Sequence, residues 1–94
     1  QNKISARTFE LDEITTKGRI TTLLGRYQMT TGKRLSPRRL ANLAGVPKDL
    51  IYRLDAGTAR YVDLEALARV CAVLGCRLDE ILVWTHDNQD EQPL

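Results

Sequence analysis

Four polar residues within one short stretch carry functional groups that can recognise the edges of base pairs. Lys48, Asp49, Tyr52 and Arg53 are spaced so that a helix turns all four away from the apolar Ile51. Arginine and lysine donate hydrogen bonds to guanine, and an aspartate can accept one from N4 of cytosine. The outer face of this segment is therefore chemically able to read nucleic-acid sequence.

A second group of residues could hold phosphate. Ser36 and Pro37 are suited to the N-cap and the first position of a helix, which places Arg38 and Arg39 in its first turn. The helix dipole repels a cation there by ~0.3–1 kcal/mol per residue. A bound phosphate would make the placement favourable, because helix amino termini attract anions. The alternative is two long side chains that extend into solvent; we interpret them, with Arg34 and Ser36, as phosphate contacts.

The charges of the chain are unevenly distributed. Residues 15–60 carry ten basic and two acidic side chains, whereas residues 1–14 have a net charge of −1 and residues 61–94 of −5. The total of +2 is uninformative by itself. Basic residues concentrated around the two groups above are typical of a protein that binds a polyanion. Ordinary solvated lysine and arginine side chains are the weaker explanation.

Two short helical patterns must position these residues. They run from Pro37 to Ala44 and from about Pro47 or Lys48 to Asp55, and Gly45 can adopt the left-handed conformation that ends a helix. The apolar faces comprise Leu40, Leu43 and Ala44 in the first pattern, and Leu50 (in part), Ile51 and Leu54 in the second. Helices joined by so short a turn cross steeply, which predicts a helix-turn-helix.

The pattern resembles the lambda-repressor/Cro-like (XRE) family. The matching positions are Ala41, Gly45, Val46, Ile51 and Leu54, and the stretch LDAGTARYVDLEALARVCAVLGCRLDEIL is similar to the family's last two helices. The resemblance covers roughly residues 18–83 and implies an all-α, five-helix lambda-repressor-like DNA-binding domain.

The resemblance also implies roles for individual residues. The family's base-reading positions match Lys48, Asp49 and Arg53, with Tyr52 as a neighbouring contact. Asp49 departs from the commoner uncharged residue; it could instead repel phosphate, pair with Arg53 or favour the helix amino terminus. In the loop that follows, Thr58 and Arg60 are the implied phosphate contacts, and Tyr61 either packs on the domain or touches the sugar-phosphate chain. The full predicted phosphate set is Arg34, Ser36, Arg38, Arg39, Thr58 and Arg60.

Local signals place the remaining elements. We expect a first helix at about 17–29 with Ile20, Leu23, Leu24 and Tyr27 inward, a helix at 64–74 capped by Asp63, and a last short helix at 78–84. In the last two, the expected inward residues are Leu64, Leu67, Ala68, Cys71, Leu74, Leu78, Ile81 and Leu82. The expected organisation is an extended or disordered arm at 1–16, the DNA-binding domain at 17–84 and a disordered acidic tail at 85–94. An ordered arm would pair with a partner subunit, because an isolated strand is unstable.

The sequence shows no pattern typical of a catalytic or metal-binding site. Cys71, Cys76 and His86 give no zinc-site spacing and no nucleophile–base pair, so we expect neither an enzyme nor a metal or other cofactor. The thiols are interpreted as buried and reduced, with a redox switch as the remote alternative. The sequence has no signal-peptide pattern and no apolar run near the ~20 residues of a membrane span, which predicts a soluble, cytoplasmic chain.

The leading functional prediction is a sequence-specific, double-stranded DNA-binding transcriptional regulator, most simply a repressor. Its recognition helix, about residues 48–55, would enter the major groove, and the protein would be a homodimer. The dimer contact is expected among Val83, Trp84, Ile4, Phe9 and Leu11. The alternative is a protein-interaction module, such as an antitoxin or adaptor, that uses the helix-turn-helix as scaffold.

Overall fold

Four α-helices and a two-stranded sheet make up the part of the chain, residues 12–86, that the computed structural model describes. The elements are β1 (Asp12–Thr15), α1 (Arg19–Thr31), α2 (Pro37–Ala44), α3 (Lys48–Ala56), α4 (Leu64–Leu74), a 3-10 turn (Leu78–Glu80) and β2 (Val83–His86). The predicted α2, α3 and α4 agree with these bounds to within one residue, and α1 begins and ends two residues later than expected.

The predicted helix caps are confirmed. The Ser36 Oγ accepts a hydrogen bond from the Arg39 N–H at 3.1 Å, with Pro37 as the first residue of α2. The Asp63 Oδ2 accepts one from the Ala66 N–H at 3.1 Å at the start of α4. Each bond satisfies a backbone donor that a helix amino terminus would leave unpaired. Gly45 ends α2 with a φ of 71°, a conformation that costs glycine little.

The core forms where α2 packs against both α3 and α4, and α1 closes it from the other side. Its fully buried large side chains are Ile20, Leu23, Leu40, Ile51, Leu54, Val70 and Ile81. Ala41 is also buried, and its small side chain lies between the packed helices. This core fixes the two helices of the helix-turn-helix relative to each other.

Several residues expected to face inward are exposed. The buried stripe of α4 is centred on Val70 and Leu74, which puts Leu64 at its edge and Ala68 outside it. Leu64 is 73% exposed, and Leu43 and Leu78 are also exposed. Spacing alone defines a face that is wider than the surface the neighbouring helices cover.

The predicted fifth helix at 78–84 is wrong; the described part is mostly helical, with four α-helices and a two-stranded sheet. A single 3-10 turn ends at Glu80, Ile81 is buried, and the chain then enters β2. Leu78, Ile81 and Leu82 are spaced three and four apart, which imitates a helix. The residues of β2 include valine, tryptophan and threonine, which favour strands, and they find a partner in β1.

The strands β1 and β2 pair antiparallel within one chain, with Ile14 opposite Trp84 and Thr15 opposite Val83. The expectation that an ordered arm pairs with a partner subunit is therefore wrong for Asp12–Thr15. Strand β2 also includes Thr85 and His86, which the sequence analysis assigned to the tail. The rest of the arm and tail predictions, including Ile4, Phe9 and Leu11, concern residues 1–11 and 87–94, which lie outside the described part.

Candidate nucleic-acid interface

The turn between α2 and α3 determines which side of α3 faces outward. The Val46 N–H donates to the Ala41 carbonyl at 3.0 Å, and the Val46 side chain is buried, so the turn is tied to the end of α2. Leu50, Ile51 and Leu54 then face the core. The four residues that they leave on the outer face, Lys48, Asp49, Tyr52 and Arg53, are all exposed.

Two of these four side chains contact each other directly. The Arg53 Nε donates a hydrogen bond to the Asp49 Oδ2 at 2.9 Å, across one turn of α3. The ion pair that the sequence left as an alternative role for Asp49 is therefore present. Both side chains are exposed, and exposed helical pairs at this spacing contribute only ~0.3–0.5 kcal/mol. The pair therefore orients the guanidinium but is weak enough that Arg53 can still bind another group.

The amino end of α2 presents the second group. Arg34, Arg38 and Arg39 are exposed, as is Ser36. The Ser36 oxygen accepts the capping bond from Arg39, which leaves the hydroxyl proton available to an outside acceptor. The start of this helix therefore offers a hydroxyl donor and three guanidinium groups to an anion.

The loop after α3 offers less than the resemblance implied. The Thr58 N–H donates to the Arg53 carbonyl at 3.0 Å as part of the end of α3, so this amide is already used. The Thr58 hydroxyl donates a long hydrogen bond of 3.5 Å to the same carbonyl, and both Thr58 and Arg60 are exposed residues. Tyr61 is 94% exposed, which excludes core packing as its role.

The cations differ in whether they are paired. Arg34, Arg38, Arg39, Lys48 and Arg60 form no salt bridge with any side chain that the structure describes. Three arginines that lie elsewhere have acidic partners: Arg26 with Glu80, Arg69 with Glu65 and Arg77 with Asp79. Arg19 instead donates to the Glu80 backbone carbonyl, and Lys17 and Lys33 also form no salt bridge with a described side chain. Five of the eight basic side chains of the described part that form no salt bridge thus lie just before or within α2, in α3 or in the loop that follows.

Arg26 is one of the ten basic residues within 15–60, but it has an acidic partner. Its Nη1 and Nη2 donate to the two Glu80 carboxylate oxygens at 2.5 and 3.1 Å. These bonds, followed by the Arg77 N–H at 2.8 Å, lower the pKa of Glu80 to about 2. The nearby Arg19 Nε donates to the Glu80 carbonyl at 2.7 Å. Both arginines therefore hold the 3-10 turn against α1.

Two structural roles near the interface were missed by sequence reasoning. The Arg69 Nε donates to the Ala44 carbonyl at 3.0 Å and so satisfies the end of α2. Asp55 lies near the carboxyl end of α3, where the dipole disfavours an acid, and its carboxylate accepts two hydrogen bonds from Thr21. That unfavourable placement was the available signal for Asp55, as it was for Arg38 and Arg39.

The cysteines lie apart from this face. Cys71 is buried in α4 and Cys76 is half-buried just beyond it, both as free thiols. Burial is the main cause that raises the pKa of Cys76 to about 12, and it also raises the pKa of Cys71. Among the side chains that the structure describes, no group of three His, Cys, Asp or Glu residues is arranged to hold a metal ion. The helices of this part are also too short or too polar to cross a bilayer.

Comparison with known families assigns the chain. The model of the Cro/C1-type HTH DNA-binding domain matches residues 19–87, and the chain belongs to this family. The resemblance to lambda-repressor/Cro-like proteins is thereby confirmed, and the protein is a DNA-binding regulator in the general sense of that family. Members of the family are typically not enzymes. No curated protein and no solved structure matches the chain significantly.

Proposed function

We propose that the protein is a cytoplasmic transcriptional repressor that binds specific sequences of double-stranded DNA. It inserts α3 into the major groove. The observation that carries the proposal is the set of exposed cations without acidic partners at α2, α3 and the following loop. Cations left unpaired on one region of a domain are the arrangement that a phosphate backbone neutralises, with release of the counterions of DNA.

Base readout is assigned to α3. The Arg53 Nε is bonded to Asp49, so the two Nη groups remain to donate to O6 and N7 of a guanine. The second Asp49 oxygen can accept from N4 of cytosine or N6 of adenine, and a carboxylate cannot bond to the acceptor edge of guanine. Lys48 adds a donor and Tyr52 a neighbouring contact. The expected half-site therefore contains a guanine next to a cytosine or adenine.

Phosphate contact is assigned to both sides of α3. The start of α2 supplies the Ser36 hydroxyl and the side chains of Arg34, Arg38 and Arg39, in a setting where the helix dipole favours an anion. The Thr58 hydroxyl and the Arg60 side chain serve the other side. Such contacts position a protein on the duplex without reading its sequence.

The proposal includes a homodimer, because α3 is short. Nine residues span about 13 Å, which is enough to read only a few base pairs. Two copies would match half-sites about 34 Å apart, one turn of the duplex. The dimer contact is proposed to include the two-stranded sheet. There Trp84, which is 60% exposed, pairs with Ile14, which is 56% exposed, and Val83 is the next residue along β2.

The experiment is selection of binding sites from a random duplex library, followed by affinity measurements over a range of salt concentrations. We expect enrichment of a two-fold symmetric site with the guanine-containing half-site, and binding that weakens steeply with salt. No enrichment, together with the absence of strong salt-dependent retention on random DNA, would overturn the proposal. That outcome would favour a protein-interaction module in which the helix-turn-helix is only scaffold.

A further inference from the structure

The carboxyl end of α3 is held by the segment that joins β1 to α1. The Thr16 Oγ1 donates to the Leu54 carbonyl at 2.6 Å, and the Gly18 N–H donates to the Asp55 carbonyl at 2.8 Å. Thr16 is the one buried polar side chain among the residues that the structure describes. A buried hydroxyl is costly unless it is bonded, so this bond links Thr16 firmly to α3.

In return, α3 supplies a hydrogen-bond acceptor to the start of α1. Gly18 is the N-cap residue of α1 and has no side chain to cap it. The Asp55 carboxylate takes that place, accepting the Thr21 N–H at 3.0 Å and the Thr21 hydroxyl at 2.7 Å. An acid at a helix amino terminus is favourable, which offsets the poor position of Asp55 within α3. The end of α3 and the start of α1 therefore satisfy each other.

These bonds restrain α3 next to the residue proposed to read guanine. The turn from α2 and the core packing of Leu50, Ile51 and Leu54 set the overall position of α3. The bonds to the Leu54 and Asp55 carbonyls further restrain the tilt of its carboxyl end. Arg53 immediately precedes Leu54, and both Leu54 and Asp55 offer the carbonyls that the segment at 16–18 binds. A change of tilt moves the Arg53 guanidinium relative to the base edges.

From this geometry we propose that Thr16 and Asp55 are positioning residues for DNA readout, acting through the tilt of α3. The inference rests on the proposed function. Hydrogen bonds to base edges need closely defined geometry, whereas long cationic side chains reach phosphates over a range of helix positions. Loss of the restraint should therefore reduce the preference for the cognate site more than the affinity for DNA in general.

The test compares three threonine variants. Thr16→Val removes the hydroxyl and keeps the shape, and Thr16→Ser restores the hydroxyl. Thr30→Val is the matched control, because the Thr30 hydroxyl bonds the Arg26 carbonyl within α1 and lies on the exposed surface. Dissociation constants are measured for a selected cognate duplex and a scrambled one, corrected for the folded fraction by circular dichroism.

We expect Thr16→Val to lower the ratio of cognate to scrambled affinity by about fivefold to thirtyfold, the effect of one or two hydrogen bonds. Thr16→Ser should recover most of the ratio, and Thr30→Val should leave it unchanged. An unchanged ratio in Thr16→Val would overturn the positioning role, even with a lowered Tm. Wild-type protein that prefers no selected duplex would overturn the proposed function itself, and the positioning role with it.

A second variant covers the case in which Thr16→Val does not fold. Thr21→Val removes only the exposed hydroxyl bond to Asp55 and leaves the backbone N–H bond in place. A smaller fall in the same ratio is expected, and an unchanged ratio in this folded variant would then count against the proposal.

Discussion

The Arg53 Nε donates to the Asp49 Oδ2 at 2.9 Å, so the acid one turn earlier orients the guanidinium on the outer face of α3. The bond uses the nitrogen that a bidentate contact with guanine does not need. The weak, exposed pair therefore limits the rotamers of Arg53 while leaving its Nη groups free to bind a base.

Replacing this arginine tests its assigned role. Arg53→Ala should weaken binding to a selected cognate duplex by ~1–3 kcal/mol and relax the preference at one base pair. The control is Arg77→Ala, which removes an exposed arginine paired with Asp79 at the 3-10 turn. Fluorescence anisotropy with the cognate duplex and its single-base variants measures both effects. If Arg53→Ala and Arg77→Ala bound the cognate duplex with equal affinity, Arg53 would not be part of the interface.

The amino end of α2 is tested by salt dependence. Arg38→Ala should weaken binding to all duplexes alike, because a phosphate contact carries no sequence information. The plot of log affinity against log salt concentration should become shallower by about 0.9, the contribution of one neutralised phosphate. A slope identical to that of wild type would show that Arg38 extends into solvent instead.

The glycine that ends α3 should be less replaceable than the one that ends α4. Gly57 and Gly75 both have positive φ angles, 79° and 67°, so alanine at either position is strained by ~1–2 kcal/mol. A Cβ at Gly57 would also lie 3.0 Å from the Lys17 Cβ, whereas one at Gly75 meets nothing within 4 Å. Urea unfolding should therefore show a larger loss for Gly57→Ala than for Gly75→Ala. Equal losses would contradict the close approach of Lys17 to α3.

The ion pair between α1 and the 3-10 turn gives a pH dependence. Bonds from Arg26 and the Arg77 N–H lower the pKa of Glu80 from 4.5 to about 2. A depressed folded-state pKa contributes stability that is present above the unfolded-state value and is lost as the pH falls through the folded-state value. The stability advantage of wild type over Glu80→Gln should thus be full near neutral pH and disappear between pH 4.5 and 2. An advantage independent of pH over this window would refute the assigned charge interaction.

The two thiols should react slowly in the native protein. Burial raises the pKa of Cys71 and brings that of Cys76 to about 12, and the thiolate is the reactive form. Alkylation by iodoacetamide at pH 8 should be at least about tenfold slower in the folded protein than in urea. Equal rates would show that the end of α4 opens readily.

Local signals in the sequence predicted much of the helical framework. Ser36, Asp63 and Gly45 each act on neighbouring backbone groups, so their roles could be read from a few residues. The outward placement of the four residues on α3 followed from spacing in the same way. Local sequence patterns could not predict contacts between distant segments, such as Thr16 with Leu54 or Arg26 with Glu80.

The end of the domain was misread for the same physical reason. A strand needs a partner, and β2 finds it in β1, about seventy residues away in the chain. Spacing within residues 78–84 fits a helix as well as a turn followed by a strand, and only pairing with β1 decides between them. The DNA contacts themselves stay predictions, because exposure and charge define a surface but not its ligand.

The central claim is that the outer face of α3 reads base pairs, and NMR of the isotope-labelled protein titrated with a selected cognate duplex tests it most directly. The account predicts the largest shift changes at Lys48–Arg53, smaller ones at the start of α2, and none at the 3-10 turn. A spectrum in which α3 is unperturbed while the duplex saturates another surface would contradict it.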